Sequence, residues 1–531
     1  MRTTIFHNGP IVTMQPQQRP VEAVAVRGER ILAVGSLAEV RAAAGSGADS
    51  YDLRGRPLLP GLTDAHVHIV WHGLWSRQVQ LAGMTDYQQV LAKIAAAAPA
   101  VVDGAWLRGT GWDHTAWGGN WPTRHDLDRV CPQHPAVMTR KDGHSLWCNS
   151  AALARAGITA ATTDPAGGQI QRDAAGEPTG ILTETAMDLV KHVMPEPSKA
   201  ERLTALQSAI AEGLSYGLTS LHCPPGTTPG DGAETLIDFQ TLYAAGGLKA
   251  RLLAHFSATD LESVIALGIR TGLGDDWLRL GSLKLFADGS LGSESAHMLA
   301  PYEGRTHTGI AVIEPPEMKR LVQRANSNGI AVIVHAIGDA ANRSVLDAIE
   351  AARPTALPLA HANRIEHCQI LDPNDIPRFA QLGVIAGMQP IHICADMPVA
   401  QRLWGERNRG AYAWKSLLNA GATLALGSDA PVETLDPWAS IFAAVTRQTL
   451  AGAPEGGWYP QERLTIEEAL EGYIIGPAIA SAEADRKGRI APGMLADLTV
   501  LNQNPLTVAA GDLQRTHAEL TMVGGQVMFE R

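Results

Sequence analysis

Short apolar runs separated by turn residues open the chain: Ile5-Phe6 before Asn8-Gly9, Ile11-Val12-Thr13, Ala23 to Val26 before Arg27-Gly28, and Ile31 to Val34 before Gly35. Such runs, punctuated by Gly and Asn, read as a β-meander. The far end repeats the pattern in Gly488 to Ile490, Ala496 to Leu501 and Leu520 to Phe529. Neither set is large enough to be stable alone, so residues 1–55 and 485–531 are expected to pair into one small β-sandwich.

Between them the pattern changes. From Gly217 onward, apolar strands alternate with helical stretches: Leu218–Cys223, Arg251–Phe256, Leu280–Phe286, Ile330–His335, Arg364–Cys368, Val384–Met388 and Leu424–Gly427, with helices such as Ala200–Gly213, Pro316–Asn328 and Ala340–Ala352 among them. One more strand, arriving through Leu58-Leu59 and the Pro60-Gly61 turn, ends at His66 to His68 and completes eight. Eight strands with intervening helices, and no GxGxxG turn after the first, predict an α/β fold of the (β/α)8 barrel type over residues 56–484 rather than an open sheet. Residues from about 72 to 214 form a large insertion after the first strand. It holds the helix Tyr87–Ala98, and seven of the twelve tryptophans fall between His68 and Leu214.

Composition narrows the partners. With 531 residues, 45% hydrophobic and 18% charged, the chain buries a large core, and a net charge of −11 with no Lys/Arg-rich run argues against nucleic acid. No window reaches a membrane-spanning length and no apolar leader opens the chain. Five scattered cysteines (Cys131, Cys148, Cys223, Cys368, Cys394) without a CxxC pair read as reduced thiols in a cytoplasmic protein. A small-molecule substrate is expected, and a homodimer.

The chemistry lies at the strand ends, where barrels of this type carry their catalytic groups. His66 and His68, separated by one residue, share a side of an extended segment and suit a divalent metal. The later ends carry His222, Lys284, His335, His367, Gln389 and Asp429. Among candidate substrate contacts are Trp112 and Trp117 in the insertion, read as part of an apolar wall, His144 in Asp-Gly-His144, His222 and Gln389. No GxSxG elbow offers a nucleophilic serine.

These residues stand in Pro-Gly-Leu-Thr-Asp-Ala-His-Val-His68, Leu-Lys-Leu-Phe-Ala-Asp-Gly-Ser-Leu-Gly-Ser293, Ile-Val-His-Ala-Ile-Gly-Asp339, Arg-Ile-Glu-His-Cys-Gln369, Ala-Gly-Met-Gln-Pro390 and Leu-Gly-Ser-Asp-Ala-Pro-Val432. Through them, and through Gly-Trp-Asp113, Gly-Glu-Pro-Thr-Gly180, Leu-Ala-Asp-Leu498 and Val-Gly-Gly525, the chain resembles the metal-dependent amidohydrolase superfamily over its whole length. It is most similar to the YtcJ-like branch that includes N-substituted formamide deformylases. The resemblance implies two zinc ions, one held by His66 and His68 and the other by His335 and His367. Lys284 would bridge them as a carbamylated lysine, and Asp429 would bind metal and move the proton. The reaction implied is hydrolysis of an amide-type C–N bond by a metal-activated hydroxide.

Three alternatives stay open. Lys284 also admits a plainer reading, as an ordinary cation paired with Asp288, against which the other motifs weigh. A deaminase of the same superfamily would use one metal, though its sites generally lack the lysine bridge. A barrel that has lost its chemistry and serves as a scaffold would keep no metal.

Overall fold

The computed structural model describes residues 3–16, 21–102, 104–140, 145–165, 167–226 and 230–531. Its centre is a sheet of eight parallel strands, bonded to one another in chain order. These are β1 (Leu62–Asp64), β2 (Leu218–Cys223), β3 (Arg251–Ser257), β4 (Leu278–Phe286), β5 (Val332–Ala336), β6 (Arg364–His367), β7 (Ile385–Met388) and β8 (Leu424–Leu426). The last strand comes back to the first, with Ala65 N–H donating to Leu426 O at 3.0 Å and Asp429 N–H to His66 O at 2.7 Å. The result is a nearly closed barrel. Parallel strands are buried on both faces, which is why Val332, Ile333 and Val334 run without a polar break and are fully buried. Outside, helix Asp339–Ala352 turns Val345, Leu346, Ile349 and Ala352 inward at helical spacing.

The ends of the chain form two further four-stranded sheets. One contains Thr3–His7, Ala23–Arg27, Arg30–Gly35 and Asp49–Asp52, the other Leu58–Pro60, Leu498–Leu501, Ala518–Val523 and Gln526–Glu530. Phe6, Val24 and Ile31 of the first share one core with Leu58, Leu498, Val500 and Leu520 of the second. Several sequence readings change here. Leu58–Pro60 pairs with Leu498–Val500 rather than with the barrel, so the barrel strand begins only at Leu62. Ile11 makes one isolated bridge, to Leu58, and Gly488 to Ile490 is no strand. The run Leu520 to Phe529 is two strands, because Gly524 and Gly525 take φ of 56° and 72° and turn the chain back in a two-residue hairpin.

Residues 73–205 make a second compact unit. Six strands form its sheet, in the order Gly168–Arg172, Pro178–Glu184, Ser145–Cys148, Ala136–Arg140, Leu107–Trp112 and Val79–Gln80. Trp112, Trp147, Leu127 and Ile94 fill the core on one side, and Leu146, Leu182 and Leu153 pack on the other. Among the described residues no helix is long and apolar enough to cross a membrane.

Candidate active site

A cavity of about 490 Å³ opens at the C-terminal ends of the barrel strands, and His66, His68, Lys284, His335, His367 and Asp429 all line it. Residues more than 360 positions apart in the chain meet there because successive strands deliver them side by side. The rings of His66 and His367 lie 5.2 Å apart, and those of His335 and His367 4.4 Å apart.

Each of these histidines has one ring nitrogen tied down. His66 Nδ1 donates to Glu366 at 2.6 Å, His68 Nδ1 to Asp231 at 2.6 Å, His367 Nδ1 to Gln389 Oε1 at 2.9 Å and His335 Nε2 to the Gly289 carbonyl at 2.8 Å. Anchoring one nitrogen as a donor fixes the tautomer and leaves a lone pair on the other, the usual preparation of a metal-binding imidazole. Two of those other nitrogens face Asp429: His66 Nε2 and His68 Nε2 lie 3.5 and 3.4 Å from its Oδ1. Two sets of possible ligands result, His66–His68–Asp429 and His367–His392–Asp429, with ligand atoms in each set all within 4.8 Å of one another.

Support for the anchors comes from deeper in the barrel. Glu366 accepts from Arg364 at 2.6 Å, and Arg364 also donates to the Ala65 carbonyl and to His222 Nδ1, at 2.8 and 3.1 Å. Glycine makes the space: a Cβ at Gly387 would come within 2.3 Å of the Glu366 carboxylate. Two site residues leave ordinary strand geometry, His367 with φ of 75° and Asp429 with φ of 58°.

The electrostatics follow from burial. Loss of water pushes His66 and His335 down to about 4, helped by the Lys284 charge, and pushes His367 well below its ordinary value, with His335 adding to the effect. For His68, burial acts the same way but is outweighed by the carboxylates of Asp231 and Asp429, which raise it to about 9. A metal taking its lone pair would displace that proton. Burial also opposes the charge of Asp429, yet the surrounding imidazoles hold it well below the usual carboxylate range. Lys284, 2% exposed, is lowered to about 8 chiefly by desolvation. Asp288 does not pair with it; its carboxylate instead accepts the backbone N–H groups of His297, Ile337 and Gly338.

The amidohydrolase family matches residues 49–529 of this sequence. Among curated proteins, the chain is 34% identical to the putative amidohydrolase YtcJ of Bacillus subtilis, over 99% of each chain. It is 31% identical to the N-substituted formamide deformylase of Arthrobacter pascens, over 100% of this chain and 99% of that one. The chain belongs to the amidohydrolase family. Its fold agrees: an uncharacterized metal-dependent hydrolase from Pyrococcus furiosus superposes with a TM-score of 0.79 at 28% identity, covering 95% of this chain and all of that one. The activity class of this amidohydrolase is hydrolysis of non-peptide carbon–nitrogen bonds.

Of the residues expected to touch substrate, neither Trp112, Trp117, His222 nor Gln389 is among those that line this cavity. Trp112 is fully buried in the core of residues 73–205, with its indole N–H donating to the Met138 carbonyl at 2.8 Å. Trp117 stacks against it, 6.3 Å between centroids. His222 lies beneath the site, wholly enclosed against Arg364, and Gln389 serves His367 rather than the cavity. His144 lies outside the described residues. The tryptophan that does line the cavity is Trp71, one helical turn beyond His68. Asp231, Glu366 and His392 were not singled out from sequence. Glu366 and His392 each sit within three residues of a residue that was (His367, Gln389).

Proposed function

We propose that this amidohydrolase cleaves the amide bond of a small N-substituted formamide or N-acyl amide in the cytoplasm, with two divalent metal ions, zinc foremost, and a carbamate on Lys284. The observation that carries the reading is the pair of anchored histidines, His66 and His68, whose free nitrogens converge on Asp429, with His367 and His392 grouped around the same carboxylate. His66 Nε2 is buried and has no hydrogen-bond partner among the described residues, a state a neutral imidazole tolerates poorly unless a cation takes its lone pair. The residues present therefore fit the metals. His66, His68 and Asp429 would hold one ion, and His335 and His367 the other.

When bound, the metals lower the pKa of a water and polarise the substrate carbonyl. The protein does the rest. Asp429 takes a proton from the attacking water as the water oxygen bonds to the carbonyl carbon. It then passes that proton to the nitrogen as the C–N bond breaks, releasing an amine and a carboxylic acid. Glu366, Asp231 and Gln389 keep the imidazoles oriented throughout. Lys284 must be neutral to add to carbon dioxide, losing a proton and gaining a carboxylate-like group, and its burial supplies that neutral form. Trp71, Phe286, Leu291 and Ile337 give the cavity an apolar side suited to an alkyl or aryl substituent. The name of the Arthrobacter relative supports the formamide class, and five free cysteines support a reducing compartment.

The test is metal analysis of the purified protein together with hydrolysis of formanilide, acetanilide and phenyl formate. About two metals per chain, activity lost to a chelator and restored by zinc, and an amine product are expected. Ammonia release from aminopurines with every amide and ester untouched would replace this reading by a deaminase.

A further inference from the structure

After β7 the chain Gln389-Pro-Ile-His392 makes a single tight turn, Pro390–His392, and enters helix Ile393–Trp404. That turn drops His392 into the cavity wall, where it is 7% exposed. Its Nε2 has no hydrogen-bond partner among the described residues and stands 3.7 Å from Asp429 Oδ2, on the oxygen opposite the one that faces His66 and His68. The ring lies parallel to that of His367, 6.1 Å away.

The other side of the ring fixes where its proton is. His392 Nδ1 stands 3.5 Å from Gln369 Nε2, and the same amide nitrogen donates to Asp396 Oδ2 at 3.2 Å. Tyr412 O–H donates to that oxygen as well. A carboxylate accepts and an amide nitrogen donates, so the Asp396 carboxylate holds the Gln369 NH2 toward itself and His392. Nδ1 of His392 is then the acceptor, and the proton sits on Nε2, facing the cavity. A buried N–H with no acceptor is unfavourable; the acceptor it lacks arrives with the substrate.

We infer that His392 is a catalytic residue, whose Nε2–H donates to the substrate oxygen as that oxygen changes from carbonyl to the charged oxygen of the tetrahedral adduct. No bond to His392 forms or breaks, and the proton stays on its nitrogen. Gln369 and Asp396 are positioning residues that hold the tautomer. The inference rests on the hydrolase reading above, and it adds to the metals a donor supplied by the chain itself.

The experiment compares the metal-loaded wild type with His392→Ala and His392→Asn, using formanilide as substrate and benzyl-H-phosphinate, the stable tetrahedral counterpart of its adduct, as ligand. Loss of one such donor lowers kcat by about 100- to 1000-fold. In His392→Ala we expect a fall of that size with KM within a few-fold and metal content unchanged. The phosphinate should bind weaker by the same factor, and His392→Asn, which keeps an N–H, should recover part of both. Loss of metal together with activity would make His392 a ligand and overturn the inference, as would kcat and phosphinate binding within three-fold of wild type. If the wild type leaves formanilide intact while phosphinate binding still depends on His392, the formamide reading fails and the donor role stands. If it neither cleaves the one nor binds the other, both fall.

Discussion

Replacing Glu366 by Gln separates orientation of the metal site from the metal ligands themselves. Glu366 is fully buried, with Oε2 2.6 Å from His66 Nδ1 and Oε1 2.6 Å from the Arg364 guanidinium. In the variant Arg364, only 2% exposed, keeps its charge and loses its counter-charge. With charge centres about 4 Å apart and an effective dielectric of about 20, the lost attraction is about 4 kcal/mol. Removing one partner of a buried pair costs about 3–5 kcal/mol, in agreement. At an unfolding entropy of about 1.1 kcal/mol/K for a chain of this length, Tm should fall by about 4 °C.

The same change replaces a charged acceptor on His66 Nδ1 by a neutral one, which should weaken metal binding by about 10- to 100-fold. Calorimetric melting in excess chelator reads the first effect without metal linkage, and competition with a chromophoric chelator reads the second. Arg364→Met/Glu366→Gln, which leaves no unpaired charge, should melt above Glu366→Gln alone. Metal affinity equal to wild type, or a melting point within a degree of it, would refute the claim that this buried pair organises the site.

Lys284→Ala should lose activity and regain part of it with a short carboxylic acid in the buffer; full activity without the acid would show that no carbamate is needed. Trp112→Ala should cost about 3–5 kcal/mol by emptying a core position, read as a lowered denaturation midpoint, with KM unchanged. Gly387→Ala should mimic Glu366→Gln in metal affinity, because the added Cβ meets the Glu366 carboxylate. Glu483 gives an acid-stability test. Burial opposes its charge, but Lys487, Ser481 and Arg279 prevail and hold its carboxyl at about 2 against an ordinary 4.5. A depressed carboxyl stabilises the fold above its unfolded value and loses that contribution as pH falls through the folded one. Between pH about 4.5 and 2, therefore, the wild type should lose about 3 kcal/mol relative to Glu483→Gln; parallel pH profiles in urea unfolding would contradict this.

The barrel was legible because its strands are buried on both faces and most read as short runs rich in apolar residues, spaced by helical stretches. Leu218–Cys223 was placed to the residue, and the others from β3 to β8 within two. The HxH pair and the later strand-end residues were legible because barrel topology says where to look. What escaped was set by tertiary contacts that no local pattern records. Leu58–Pro60 is as apolar as a barrel strand and pairs with a segment more than 430 residues away. Trp112 looked available for a ligand, and its partner, the Met138 carbonyl, becomes visible only once the insertion's sheet is assembled. Asp231 sits in a loop without a motif and reaches His68 across 163 positions.

Strand β6 shows most clearly what the sequence does not record. Alternation along a strand puts Arg364 and Glu366 on one side, and both point into the barrel as period two requires. His367 should then face away from the cavity it lines. It does not, because its backbone turns into the left-handed region at φ of 75°. Asp429 does the same at φ of 58°. Such geometry costs of order 1–3 kcal/mol for a residue with a side chain, so it persists only where neighbouring bonds impose it. Those bonds run across strands: His367 Nδ1 donates to Gln389 beyond β7, and Asp429 N–H donates to the carbonyl of His66 beyond β1. The second of these is also one of the bonds that bring β8 back to β1. Closing the barrel and aiming its metal ligands are thus partly one act, and a substitution that loosens the seam between β8 and β1 should misdirect Asp429 before it unfolds the protein.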